Sequence, residues 1–179
     1  MGDLAAVSKR LRPKRISPAA VLVPLIDDDD GLRVLLTQRA RHLKHHPGQI
    51  SFPGGRIEAG DQGPAAAALR ETEEEIGIGG DHVDVLGYLD NYLTITGYTV
   101  TPVVGRIRRC PPLTLDANEV DDAFTVPLEF LFNPERHQLR RKRIMGLEVP
   151  IYEIWWQERR IWGATAAMLV GFYNTIFNK

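Results

Sequence analysis

The stretch from Pro64 to Gly77 constrains this chain's fold more than any other. Pro64 fits the first position of a helix, where its missing N–H costs nothing. The alanines that follow propagate the helix, and Gly77 can end it in a left-handed cap. A helix is therefore expected over Pro64–Ile76. Its period places Glu71, Glu74 and Glu75 at i, i+3 and i+4 on one side, with Ala65, Ala68, Leu69, Thr72 and Ile76 on another. One face packs and the other works. Like charges at that spacing cost about 0.2–0.5 kcal/mol per pair in an isolated helix. Carboxylates kept together against that repulsion point to a cation between them, and hard oxygen ligands suit Mg²⁺ or Mn²⁺ rather than zinc. Glu73 points away and is expected to be dispensable. The competing reading is a solvated charged face, which is what most glutamate runs are.

At 179 residues the chain falls within the range of one domain and can bury a real core. Its net charge of −1 gives no support for nucleic acid or an anionic membrane as a bulk electrostatic partner. Cys110 is the only cysteine, so neither an intramolecular disulfide nor a cysteine zinc cluster can form. That fits a reducing compartment, and a cytoplasmic location is expected. Residues 1–13 lack an apolar core of signal-peptide length, and Ala6 stands where myristoylation needs Ser or Thr. No apolar run has the length of a membrane span.

Ala19–Ile26 and Arg33–Thr37 are β-branched apolar runs separated by the acidic turn Asp27–Gly31, which predicts a hairpin. The four aspartates read as a solvated loop rather than a metal site. Phe52-Pro53-Gly54-Gly55 is expected to make a tight turn after a basic, His-rich segment. Strands are expected at Val83–Leu89, Val100–Ile107 and Val149–Trp156, a short helix at Val126–Phe132, and a final helix at Trp162–Phe177. In the strand, Trp155 and Trp156 alternate, one toward the core and one toward the surface. The order of elements predicts an α/β sandwich with a mixed β-sheet. Residues 1–17 are read as an N-terminal extension, with helix as one option, and 18–179 as one domain.

The glutamate helix resembles the signature of the Nudix hydrolases, G-x5-E-x7-R-E-U-x-E-E-x-G-U with U aliphatic. Arg70-Glu71, Glu74-Glu75, Gly77 and Ile78 match it. The front half is one residue longer than the pattern: counting forward from Gly55 reaches Asp61, and counting back from Arg70 reaches Gln62. Thr72 fills a slot usually more apolar. The resemblance implies a Nudix-type α/β/α sandwich, with Glu71 and Glu75 as metal ligands and Glu74 as ligand or water-activating base. Arg70 would pair with neighbouring carboxylates and fix their rotamers. Gly54-Gly55 would let the chain approach the helix without Cβ clashes.

A further resemblance is to the coenzyme A pyrophosphatase branch of that family, which shares the lengthened box. It rests on Leu35–Ala40, Gly48–Gly55, Thr96–Gly105, Glu119-Val120 ahead of Phe124 and Pro127-Leu128, and Trp162–Thr165. It implies hydrolysis of the coenzyme A diphosphate to 3′,5′-ADP and 4′-phosphopantetheine. Arg39, Arg41, Lys44, His45 and His46 are then well placed for phosphates, with Gln49, Gly54 and Gly55 on the substrate side. Lys44 stands where Arg is expected and lacks the planar fork. Glu119 is a candidate additional ligand or base, against the reading of an exposed loop glutamate beside Asp121 and Asp122. Two alternatives stay open. One is a Nudix hydrolase acting on ADP-ribose, NADH or a related diphosphate. The other is a Nudix-fold module that binds a nucleotide without cleaving it, although such modules would be expected to lose box glutamates. A homodimer is left open.

Overall fold

The computed structural model describes residues 16–144 and 146–177, and of Leu147 the backbone alone. The expected extension therefore lies outside the described residues, apart from Ile16 and Ser17, and Ser17 already opens the first strand. Strand β1 (Ser17–Asp28) turns at the aspartate run into β2 (Gly31–Arg39), and the two pair antiparallel from Leu25↔Val34 to Asp28↔Gly31. Their pairing stops there. Nearer the start of β1 its edge is taken instead by β4 (Gly54–Arg56), in register Ala19↔Arg56 to Val21↔Gly54. On its other edge β1 runs parallel to β7 (Tyr98–Ile107), from Ser17↔Tyr98 to Ile26↔Ile107. Strands β3 (Ile50–Ser51) and β8 (Val120–Pro127) flank β2, while β5 (Val83–Tyr88) and β6 (Tyr92–Leu93) flank β7. The result is a mixed sheet of eight strands. A separate antiparallel sheet holds β9 (Gln138–Ile144), β10 (Leu147–Trp156) and β11 (Arg159–Trp162). The helices are α1 (Pro64–Ile76), α2 (Leu128–Leu131) and α3 (Ala164–Phe177).

Strand β1 is apolar without a break from Pro18 to Ile26 because both of its faces are buried. Along β1, Ala19, Val23 and Leu25 join a core with Leu169 and Phe172 of α3. Ala20, Leu22 and Ile26 join a second core with Ala67, Ala68 and Ile76 of α1. The same alternation sorts Val100 and Val104 of β7 toward α3, and Val103 and Ile107 toward α1. The sheet thus lies between α1 and α3, an α/β fold. Among the described residues no helix is long and apolar enough to cross a membrane.

Four expectations change. The helix expected at Val126–Phe132 is confined to Leu128–Leu131, since Val126 and Pro127 finish β8 in register with Val34 and Arg33. Trp162 belongs to β11, and Gly163, at φ 66°, turns the chain before α3 begins at Ala164. Gly54 and Gly55 are not turn residues: the bend is at Pro53, and both glycines are strand. Strands β9 and β11 were not expected. Trp155 is exposed, while Trp156 packs edge-on against Phe130 with centroids 4.6 Å apart.

Candidate active site

Helix α1 begins at Pro64 after Gly63, which offers no side-chain cap, and ends at Gly77 in the left-handed region, φ 75°. The last carbonyls of a helix lack partners within it. Here the loop after β7 supplies them: Thr114 N–H donates to Ile76 O and Asp116 N–H to Glu75 O, both at 3.0 Å. The loop then folds back, with the amides of Glu119 and Val120 donating to Asp116 O. Glu119 O accepts from Ala40 N–H at 2.8 Å. Satisfying the helix end therefore also pins Glu119 between α1 and the end of β2.

Ala67 and Ala68 pack fully against the sheet, with Thr72 and Ile76, whereas Ala65 and Leu69 are half-buried. The glutamate side is not a free surface. Glu73 and Glu74 are exposed, Glu71 is half-buried, and Glu75 is only 4% exposed. The cause is β4. A Cβ on Gly55 would lie 2.5 and 2.6 Å from the two carboxylate oxygens of Glu71, so only glycine leaves that side chain where it stands. A Cβ on Gly54, at φ 148°, would meet Val21 Cα at 2.6 Å. Gly55 therefore leaves the space that Glu71 occupies, and Gly54 lets β4 lie close against β1.

Arg70 ties the cluster together. Its Nε and Nη2 donate to Asp61 Oδ1 and Oδ2 at 3.0 and 3.1 Å, a two-pronged pairing. Nη1 donates to Glu71 Oε1 at 3.0 Å and Glu74 Oε2 at 3.1 Å, and Nη2 also reaches Arg56 O. This hydrogen bonding holds Asp61 below the usual carboxylate range. Because its native pKa is lowered, the pair is intact above the ordinary Asp value. It is lost only as pH falls through the lowered one. The helical period gives no sign of the Asp61 fork, although Asp61 itself, nine residues ahead of Arg70, stands out in the lengthened box. Replacing Asp61 with Asn should leave the helix folded but release Arg70. The expected loss in metal affinity or turnover is about 10–100-fold, the range for residues that orient ligands. Metal-dependent kinetics at neutral pH would measure it.

Burial pushes the Glu75 carboxyl up to about 8, against the charge of Arg39 and the amide of Gly54. Glu71 is also raised, first by burial. The charge of Glu119 adds to both shifts, which places it within the same electrostatic cluster. Glu75 Oε2 is buried without a hydrogen-bond partner. Among the described residues no three His, Cys, Asp or Glu side chains are already gathered around a metal position; Arg70 sits between Glu71 and Glu74. An orphaned buried carboxylate oxygen within an all-oxygen donor set fits a hard divalent cation.

Arg39 thus joins Glu71, Glu74, Glu75, Glu119, Gly54 and Gly55, and its backbone exchanges hydrogen bonds with Gln49 O and Gly48 N–H. The rest of the basic segment does not converge. Arg41 is exposed, its amide bonded to Asp121, and Lys44, His45 and His46 are exposed. Gln49 is half-buried against Gly163.

The fold resembles that of Nudix hydrolase RenU from M. smegmatis, with TM-score 0.55 and 23% identity, covering 63% of this chain and 71% of that one. It also resembles the Ap4A hydrolase of C. elegans in its binary complex, with TM-score 0.54 and 21% identity, covering 62% and 80%. These likenesses define a Nudix-type fold. The family model of the NUDIX domain matches residues 16–146. The chain is also 38% identical over 151 residues to the uncharacterized Nudix hydrolase NudL of Yersinia pestis (strain Pestoides F), covering 84% of this chain and 75% of that protein. The same figures hold for NudL of Yersinia pseudotuberculosis serotype O:1b (strain IP 31758). The chain belongs to the Nudix family: it is a hydrolase of nucleoside diphosphate derivatives, a class that generally uses divalent metal ions.

Proposed function

We propose that the chain hydrolyses the diphosphate of coenzyme A to 3′,5′-ADP and 4′-phosphopantetheine, with Mg²⁺ or Mn²⁺. The observation that carries the metal-dependent part is the orphaned Oε2 of Glu75, with Glu71 beside it in the space that Gly55 leaves open. Glu71 and Glu75 would hold the cation, with Glu74 a further ligand or the base. When bound, the cation neutralises the diphosphate and lowers the pKa of a water. Glu119, whose backbone is tied to Asp116 and Ala40, would take a proton from an attacking water. Arg70 acts as a positioning residue, fixing Glu71 and Glu74 through the Asp61 fork. Arg39 offers its charge to a substrate phosphate, with Arg41, Lys44 and Gln49 completing the substrate side as the ligand draws them in.

Support for coenzyme A comes from the lengthened box. The additional residue brings Asp61, rather than the Gln62 reached by counting back, into the fork on Arg70. A panel of coenzyme A, its 3′-dephosphorylated form, ADP-ribose and NADH, run with product identification in ¹⁸O-water, tests the reading. Coenzyme A is expected to give the highest kcat/KM. A preference for ADP-ribose or the dephosphorylated form would overturn the substrate, and binding without cleavage would overturn the activity.

A further inference from the structure

The small sheet carries a charge pattern that neither the fold nor the glutamate helix uses. Between residues 136 and 162 seven Lys and Arg stand against three Glu, in a chain whose net charge is −1. Strand pairing sorts them by face. Arg140 lies opposite Ile151, Lys142 opposite Val149 and Arg160 opposite Trp155, so all three project from the face of β10 that bears Glu153. The other face carries Tyr152, Ile154 and Trp156 and packs toward α3.

The three cations converge. Glu153 is 7% exposed and accepts from Arg160, and its carboxyl is held below the usual range by that bond, with Lys142 and Arg140 adding their charges. Lys142 Nζ lies 4.2 Å from the centroid of the Trp162 ring and Arg160 Cζ lies 5.0 Å from it. Arg140 is steadied by Gln138, donating to Oε1 at 2.9 Å. One carboxylate therefore faces three cations, which leaves an excess of two positive charges on one patch.

Basic residues on an edge strand can serve merely to prevent sheet-to-sheet association. That accounts for β9, which is one edge. It does not account for residues from both edges, Arg140 and Lys142 of β9 and Arg160 of β11, facing one buried carboxylate on the central strand. A group carrying about −1.5 to −2 charges and several acceptor oxygens would balance the patch, and a phosphomonoester is such a group.

We propose that the outer face of β9–β11 binds a phosphomonoester through Arg140, Lys142 and Arg160, with Glu153 orienting Arg160 and Trp162 backing the cations. Two sources share this chemistry. One is a phosphate carried by the diphosphate substrate itself, and this source rests on the coenzyme A reading. Gly163, next to Trp162, lies against Gln49, which the coenzyme A reading assigns to the substrate side. The other source is a separate small phosphorylated effector.

All three tryptophans of the chain, Trp155, Trp156 and Trp162, lie on β10 and β11, so intrinsic fluorescence reports on this sheet. The full chain is titrated with inorganic phosphate at constant ionic strength, with chloride as the comparison. A saturable change is expected, weakened at least about tenfold in an Arg140→Ala/Lys142→Ala variant whose Tm shows it folded. A change that chloride reproduces, or one the variant leaves intact, overturns the proposal. Steady-state kinetics then separate the sources. A rise in KM in the variant for coenzyme A but not for its dephosphorylated form assigns the phosphate to the substrate. Loss of phosphate binding without that difference assigns it to an effector. If coenzyme A is not cleaved at all, the functional reading fails, while the titration still decides this one.

Discussion

At pH 8, Glu75→Gln is expected to cut turnover sharply and, in the metal-free protein, to raise stability. The two effects have one origin. Glu75 is buried among Glu71 and Glu119, one of its oxygens has no partner, and burial pushes its pKa up to about 8. The unfolded chain ionises this carboxyl at its ordinary value of 4.5, while the metal-free fold holds the proton until about 8. The sign follows from linkage. Stability is fully present below the unfolded value and falls as pH climbs through the window from 4.5 to 8, because the unfolded state has released a proton that the fold retains. By pH 8 the loss is on the order of 4 kcal/mol. Gln mimics the protonated form and abolishes this slope, although its buried amide remains short of partners. Recovering about half the loss would raise Tm by roughly 4–8 °C. Near pH 5 variant and wild type should melt alike. A divalent cation is expected to reverse the order, because on the proposed reading it would bind the folded wild type through the ionised carboxylate and stabilise it but not the variant. Turnover should fall on the order of 10³-fold, about 4 kcal/mol of transition-state stabilisation. Thermal melts at pH 5 and 8, with and without Mg²⁺, accompany the kinetics. Retained activity, or a variant less stable than metal-free wild type at pH 8, would refute the assignment.

The legible and illegible parts of this chain divide on physical lines. Helix α1 could be read because Pro64 and Gly77 act on backbone torsions locally, and β1 because its unbroken apolar run serves two cores. Strand β9 could not. Gln138-Leu139-Arg140-Arg141-Lys142-Arg143-Ile144 has no apolar alternation, and it is a strand because β10 pairs with it along its whole length. Trp162 read as helix because its spacing suits one, yet the positive φ of Gly163 separates it from α3. At the site, the helical period put three carboxylates on one side but could not show that Glu75 is buried. That depends on β4, which reaches α1 only because β2 gives up the edge of β1 beyond Leu25. Glu119 is placed by backbone bonds to the helix end, of which side-chain chemistry gives no sign.

Gly55→Ala tests whether that close approach is what organises the carboxylates. The added methyl carbon would fall 2.5 and 2.6 Å from the Glu71 oxygens, a separation real Cβ atoms essentially never show. Two responses are open to the protein. If β4 holds, Glu71 must rotate away, breaking the 3.0 Å bond from Arg70 Nη1 and leaving that donor to Glu74. If Glu71 holds, β4 must lift from β1, disturbing the Ala20↔Gly55 pair and the amide that Gly54 gives Glu75. Both responses displace a candidate ligand by more than catalysis tolerates, since misplacement of about 1 Å can cost 10²-fold. Turnover is expected to drop about 10²–10³-fold, with overpacking costing about 1–3 kcal/mol of stability. The metal dependence separates this from simple unfolding. The variant should still melt cooperatively, but need about tenfold or more additional Mg²⁺ for half-maximal rate, because the donor set is present and misaligned. Glu71→Asp in the Gly55→Ala background shortens the side chain by one methylene and relieves the clash. It should therefore recover part of the loss, whereas Glu71→Asp beside the native glycine should only weaken activity. Wild-type metal dependence in Gly55→Ala would show that the glycine serves the fold of β4 and not the position of Glu71.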